Sequence, residues 1–174
     1  LSDVMAGTES GNRMNLETFV QRNYMEKILC DANRRFRDMS NGQFELKLIN
    51  VEDAGEGKNK GLDFEVYSIV TGKTRSVNTL SGGESFMAAL SLALGMADQI
   101  QAATAAIHLD VMFIDEGFGS LSDNARNEAV NILKEMAGKQ RQIGIISHVS
   151  ELKDEIENQL IVKKDDRGSH ISWR

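Results

Sequence analysis

Three short stretches of this sequence combine residue types and spacings suited to holding and attacking a phosphate. The first is Leu80-Ser81-Gly82-Gly83-Glu84, directly before an amphipathic helical pattern. Ser81 and Glu84 stand at Ser-x-x-Glu spacing, the capping box in which each side chain satisfies an orphan amide of the helix start. A cap alone leaves the paired glycines unexplained. Gly82 and Gly83 bare the backbone, so that an anion can approach the positive end of the helix. The same cap can therefore serve a phosphate.

The second stretch is Val111-Met112-Phe113-Ile114-Asp115-Glu116, four apolar residues followed by two carboxylates. In open parallel sheets ligands bind beyond the carboxyl ends of the strands, which is where Asp115 and Glu116 fall. One carboxylate can hold the hydrated shell of Mg²⁺, and its neighbour can deprotonate a water that attacks a phosphoryl group. An acidic turn closing a strand is the plainer alternative. The third stretch, Gly144-Ile145-Ile146-Ser147-His148, ends a second apolar strand in polar groups. An isolated histidine there is more often structural, but two strand ends, one acidic and one bearing His148, favour a phosphate site.

One match is rejected. Gly72-Lys73-Thr74 resembles the end of a phosphate-binding P-loop, yet that motif needs a glycine five residues before Gly72, where Tyr67 stands. The surrounding pattern is a hairpin, and the three residues read as its turn.

Positioning these stretches requires a particular order of elements. From Asn15 to Met39, Leu16, Val20, Tyr24, Ile28, Ala32, Phe36 and Met39 recur at helical spacing, and Asn41-Gly42 ends the pattern. Arg22, Lys27, Arg34, Arg35 and Arg37 on its other side read as a solvated cationic face. Gln43 to Asn50 and Asp63 to Val70 alternate with period two, joined by a Gly-rich charged loop from Glu52 to Gly61, and a third strand ends near Asn78. This section predicts an antiparallel meander. The pattern then becomes helix (about Ser85 to Ala103), strand (Val111 to Ile114), helix (Asp123 to Ala137, stopped by Gly138), strand (Ile143 to Ile146), helix (Ser150 to Glu157) and strand (Leu160 to Lys163), with a last strand from Ile171 to Trp173. Strand-helix alternation with uninterrupted apolar strands implies a parallel sheet covered on both faces. The fold class is α/β.

Composition narrows the functional classes. A chain of 174 residues suits one domain, and at this length roughly 70% of the unfolded surface is buried on folding. The net charge of -6 argues against a broad electrostatic grip on nucleic acid, because such binding is driven by cation-phosphate contacts. Cys30, the single cysteine, fits a reducing compartment and reads as a small packing residue. No stretch approaches the ~20 apolar residues of a membrane span, so no membrane is expected. Leu1 in place of Met, soon followed by a long helix, suggests a piece of a larger protein.

Taken together, Leu80 to Glu84 is similar to the signature motif of ABC ATPases, Val111 to Glu116 to their Walker B strand, and Ile145 to His148 to their switch-histidine strand. Asp115-Glu116-Gly117-Phe118-Gly119 is more particular, because SbcC-type proteins favour Gly-Phe-Gly after the acidic pair. Ala32 to Phe36 and Met39 to Phe44 resemble the point where the returning coiled coil of SbcC re-enters its head. The resemblance covers nearly the whole chain, Leu1 to Arg13 and the loop at Glu52 excepted.

That resemblance implies the C-terminal lobe of an SMC-type ATPase head. Residues 1–40 would be the end of the returning coiled coil and 41–174 the lobe itself. The P-loop would lie in an N-terminal lobe of the same protein, so this chain would not hydrolyse ATP alone. ATP would be sandwiched between two heads of a homodimer, with Ser81 and Gly83, in the stretch that includes Gly82 and Glu84, reaching the γ-phosphate held by the opposite head. Asp115 would assist Mg²⁺, Glu116 would be the general base and His148 would contact the γ-phosphate. The output would be control of an SbcD-like nuclease acting on double-stranded DNA ends in repair, in the bacterial cytosol. A chromosome-organising SMC head, or another ABC subunit with its own P-loop, is the alternative. One position departs from the family pattern: Ser122 follows Gly119-Ser120-Leu121 where Asp is usual, and Asp123 reads as a cap of the next helix.

Overall fold

A computed structural model describes residues 16–50, 61–103, 109–137 and 141–174. The segment Leu1 to Arg13, the helix start at Asn15, nearly all of the Glu52 to Gly61 loop and the stop at Gly138 lie outside the described residues. The first helix, α1 (Leu16–Met39), has two unlike halves. Its second half buries Ile28, Leu29, Ala32, Phe36 and Met39, whereas Leu16, Val20 and Tyr24 on the same stripe are exposed. It ends in a Schellman motif: the Gly42 amide donates to the Arg37 carbonyl, the Asn41 amide to that of Asp38, and Asn41 adopts φ 53°.

Two features of this helix differ from the sequence expectation. Its cations are only partly a solvated face: Lys27, Arg34 and Arg37 are exposed, Arg37 pairing with Glu45, whereas Arg35 is buried in an ion pair with Asp98 and Arg22 donates to the carbonyls of Ile49 and Gly61. Long guanidinium side chains reach neighbouring elements that a helical wheel does not show. Cys30 is exposed rather than packed, because the buried stripe runs through its neighbours Ile28 and Leu29.

The meander forms as expected from β1 (Phe44–Leu48), β2 (Phe64–Ser68) and β3 (Lys73–Ser76), paired antiparallel in that order. Leu46, Leu48 and Val66 face the core. Asn33 of α1 docks the edge of β1, accepting from the Leu46 amide at 2.7 Å and donating to the Leu46 carbonyl at 2.8 Å. Gly72, with φ 66°, sits in the β2–β3 turn, and Tyr67 pairs with Thr74 across it. The rejected P-loop match is therefore a hairpin turn.

A single turn of 3-10 helix at Val77–Thr79 leads into α2 (Gly82–Ala103). This helix buries Met87, Ala88, Leu90, Ser91, Leu94 and Ala97, and its principal neighbour is α1. By length and composition alone α2 is long and apolar enough to cross a membrane, which corrects the expectation that no stretch approaches that length. Its apolarity comes from a core face that includes Met87, Ala88, Leu90, Leu94 and Ala97, and Asp98 near its C-terminal end is held by Arg35 and Arg141.

The second half holds β4 (Val111–Asp115) and β5 (Gln142–Ile146), paired in parallel, with α3 (Asp123–Ala137) between them in sequence. α3 contributes Ala125, Ala129, Val130 and Leu133 to the core. Among the described residues the parallel sheet has two strands, and one face is open: Phe113 is 72% exposed, and Val111 and Ile146 are also exposed. The sequence predicts cover on both faces; α3 and α2 supply only one. The short α4 (Leu152–Glu155) replaces the longer helix expected to Glu157, because Gln159 takes the Ile156 carbonyl with its side chain.

After α4 the chain leaves the parallel sheet. β6 (Leu160–Asp165) pairs only with β7 (Gly168–Trp173), antiparallel, in a hairpin of its own among the described residues. Leu160 opposes Trp173 and Val162 opposes Ile171, which places four large apolar side chains on one hairpin face, all exposed. Local turn geometry at Asp165 to Gly168, where Gly168 has φ 118°, decides the pairing against a third parallel strand.

Candidate functional site

The signature-like stretch is built as a cap. The Ser81 amide donates to the Glu84 carboxylate at 2.7 Å, and the Glu84 amide donates to the Ser81 hydroxyl at 3.3 Å. The helix consequently starts at Gly82, three residues earlier than its apolar pattern begins. The close approach of Gly83 to a neighbouring turn explains one glycine: a Cβ there would lie 2.6 Å from the Ser120 carbonyl oxygen. Partial burial alone would push the Glu84 carboxyl upward, but the Ser81 amide, the Arg75 guanidinium and the Ser81 hydroxyl together hold it below the usual range.

The turn touching Gly83 follows the second stretch. Gly117 has φ 94°, and a Cβ on it would collide with the Phe86 ring. Phe118 is fully buried, in edge-on contact with Phe86 at 5.1 Å between centroids, and a 3-10 turn runs over Phe118–Ser120. Gly117 and Phe118 are thus a steric solution, a residue without Cβ and an aromatic anchor that seat the chain under α2, whereas a Cβ on Gly119 would meet Val149 at an ordinary 3.6 Å. Ser122 then caps α3, its hydroxyl accepting the Ala125 amide at 3.4 Å. Asp123, expected as the cap, lies inside the helix and pairs with Arg126.

At the carboxyl end of β4, Asp115 closes the strand and Glu116 leaves it with φ 59°. A left-handed conformation in a residue other than glycine costs on the order of 1–3 kcal/mol and is concentrated at functional positions. Glu116 is held there by its amide, which donates to the Ile146 carbonyl of β5 at 2.9 Å. Two residues beyond that carbonyl, His148 approaches the Glu116 carboxylate with Nδ1 at 2.9 Å. Both side chains are open to solvent, 80% for His148 and 52% for Glu116.

The parallel register therefore brings together Glu116 and His148, with Asp115 beside them on the same edge. Ser81, Gly82, Gly83 and Glu84 form a separate cluster at the start of α2, with no hydrogen bond to Asp115, Glu116 or His148 among the described residues. As donors for Mg²⁺ the edge offers carboxylate oxygens and solvent access, which fits a cation that keeps several waters. No group of three or more His, Cys, Asp or Glu side chains placed to hold a metal occurs among the described residues.

Sequence reasoning missed Arg75. Its Nη2 lies 3.3 Å from both Glu84 oxygens and its Nη1 donates to the Thr79 carbonyl at 2.7 Å. Arg75 is the one partly buried residue of an otherwise exposed strand, and its partner lies beyond a turn, which the local pattern does not reveal.

Comparison with known proteins places these features. Residues 58–135 match the family model described as SbcC/RAD50-like, Walker B motif. The chain is 41% identical over 169 residues to the SbcC subunit of the SbcCD nuclease of Lactococcus lactis and 45% identical over 172 residues to that of Vibrio cholerae, covering 94% and 98% of this chain. It spans only about a sixth of the length of these curated relatives, 16% and 17% respectively. Among solved structures, one from work on ATP-driven dimerization and DNA stimulated activation of SMC ATPases aligns with a TM-score of 0.68 at 19% identity, over 90% of this chain and 89% of the other. The Smc head domain of Pyrococcus furiosus, bound to the C-terminal domain of ScpA, aligns with a TM-score of 0.64 at 18% identity, over 91% of this chain and 37% of the other. These structures show that the fold is that of an SMC ATPase head.

Proposed function

We propose that this chain, which belongs to the SbcC/RAD50-like family, supplies one lobe of an ATP-hydrolysing head whose phosphate-binding loop comes from another part of the same protein. The observation that carries the reading is the meeting of Glu116 and His148 at the carboxyl ends of two adjacent parallel strands, in the presence of a separate capped glycine pair at Ser81. Such a chain has the residues for activating water and for gripping a phosphate, but in two clusters that share no hydrogen bond among the described residues. A homodimer of heads solves this geometry, since each ATP then meets the Glu116 edge of one head and the Ser81 loop of the other.

In this mechanism Glu116 takes the proton of a water that attacks the γ-phosphorus, and the bond to the β–γ bridging oxygen breaks to release ADP. His148 orients the Glu116 carboxylate through Nδ1 and presents its other ring nitrogen to the γ-phosphate. Asp115 would hold Mg²⁺, which when bound neutralises phosphate charge. The Ser81 hydroxyl accepts the Glu84 amide, and its own proton, which in this structure supports the Glu84 carboxylate, turns to the γ-phosphate of the opposite head when the heads engage. Within residues 1–40 the described helix α1 would be the end of the returning coiled coil and its lead-in helix, and 41–174 would be the C-terminal lobe. The whole protein joins an SbcD-like nuclease, engages double-stranded DNA through that complex and works in DNA repair in the bacterial cytosol, a reading supported by relatives that are named as the SbcC component of the SbcCD nuclease.

A chromosome-organising role is the second reading, favoured by the SMC heads among the structural neighbours. Identities of 18–22% to those heads support fold alone, against 41–45% to the SbcC relatives. The test is ATP turnover by this chain, by the segment bearing the P-loop, and by the two mixed. Turnover only in the mixture, abolished by Ser81→Arg, is the expected result; turnover by this chain alone overturns the reading.

A further inference from the structure

The cap at Ser81 depends on a residue from a different element. Arg75 of β3 spreads its guanidinium over three acceptor groups: the Glu84 carboxylate, with both oxygens at 3.3 Å, the Thr79 carbonyl at 2.7 Å and the Thr79 hydroxyl at 3.1 Å. Its planar face lies over Phe44, 5.4 Å from the ring centroid, and Phe44 stacks in turn on buried Phe36 of α1 at 6.1 Å. A rigid fork engaged on this many sides has few orientations left, unlike a free surface cation. Glu84, so fixed, accepts the Ser81 amide at 2.7 Å and sets the backbone of the glycine pair.

We propose that Arg75 is a positioning residue for ATP hydrolysis, holding Glu84 so that Ser81, Gly82 and Gly83 present their polar groups in one fixed direction at the head of α2. This rests on the composite ATP site described above. Arg75 touches no reacting atom, and its influence runs chiefly through Glu84, with its hold on Thr79 fixing the approach to Ser81. The depressed titration of Glu84 agrees with such a clamp. An ordinary exposed ion pair would contribute little to stability and nothing to rate, so rate is where the two accounts part.

The experiment uses the full-length protein that contains this segment, with Arg75→Ala, Arg75→Lys, Glu84→Ala, the Arg75→Ala/Glu84→Ala double variant and Ser81→Arg. Turnover number, KM and the binding of a fluorescent ATP analogue are measured. Loss of a positioning contact at a reacting centre lowers kcat by about tenfold or more. The expected pattern is that fall in Arg75→Ala, partial recovery in Arg75→Lys, unchanged analogue binding, and a double variant no slower than the slower single. Four outcomes overturn the proposal: kcat within twofold of wild type in Arg75→Ala, analogue binding that falls in step with kcat, no recovery at all in Arg75→Lys, or additive losses in the double variant. If Ser81→Arg abolishes turnover while Arg75→Ala does not, the composite site stands and the positioning role falls. If Ser81→Arg itself turns over normally, the composite site falls too.

Discussion

The two clusters to which the proposed function assigns phosphate chemistry are built in opposite ways. At the start of α2 the polar groups are partnered within the chain: Ser81 with Glu84, Glu84 with Arg75, and Gly83 against the Ser120 backbone. At the ends of β4 and β5, Glu116 and His148 have chiefly each other, and the sheet beside them leaves Phe113 and Ile146 open. The first surface is finished by its own lobe. The second has its chemical groups placed but its surroundings incomplete, as expected of a lobe that completes a site with other chain segments. Grip and reaction are thus supported by different networks, and variants should separate them.

The largest separation is expected at the reacting edge. Glu116→Gln in the full-length protein should lower ATP turnover by about 10²–10⁴-fold, the usual contribution of a general base, while nucleotide-dependent association of heads persists in size-exclusion chromatography. Loss of association together with turnover would mean that Glu116 holds the site rather than reacts in it. A smaller effect is expected at the finished surface. Gly83→Ala forces a Cβ to within 2.6 Å of the Ser120 oxygen and should cost about 1–3 kcal/mol in denaturant unfolding. Gly82→Ala, whose Cβ would meet the Ser120 Cβ at an ordinary 3.8 Å, should change stability by less than about 0.5 kcal/mol. Equal effects would show that the turn yields.

The smallest effect concerns pH. Glu84 has a folded value below its ordinary 4.5, so its contribution is complete above that value and is lost as pH falls through the lower folded one. Acid titration of wild type against Glu84→Gln should show a shallower acid limb in the variant. Coincident limbs would place the Arg75 and Ser81 contacts outside the stability of the fold.

Much of this is legible in the sequence because it is local. Asn41-Gly42 ends α1, Ser-x-x-Glu caps α2, period-two alternation gives the meander, and Val111 to Ile114 is a strand, all from neighbours within a few residues. What the sequence hides depends on distant surroundings. Cys30 reads as a core residue although the buried stripe passes one residue before it, and Arg35 reads as solvated although Asp98 lies 63 residues on. The pairing of β6 with β7, against a third parallel strand, is a competition between a near partner and a far one, which periodicity does not rank. The Glu116–His148 contact follows from parallel register, and an apolar strand pattern fixes that a strand exists but not where it aligns.

The left-handed backbone at Glu116 has a meaning for how this sequence can change. A residue that glycine or asparagine would occupy at less conformational cost is here a glutamate. Replacing it with glycine should make the lobe more stable and chemically mute in a single step. In the proposed mechanism that exchange would trade the general base for stability, so stability alone favours glycine there and the reaction favours glutamate. On that reading the φ angle of one residue marks a conflict between durability and work.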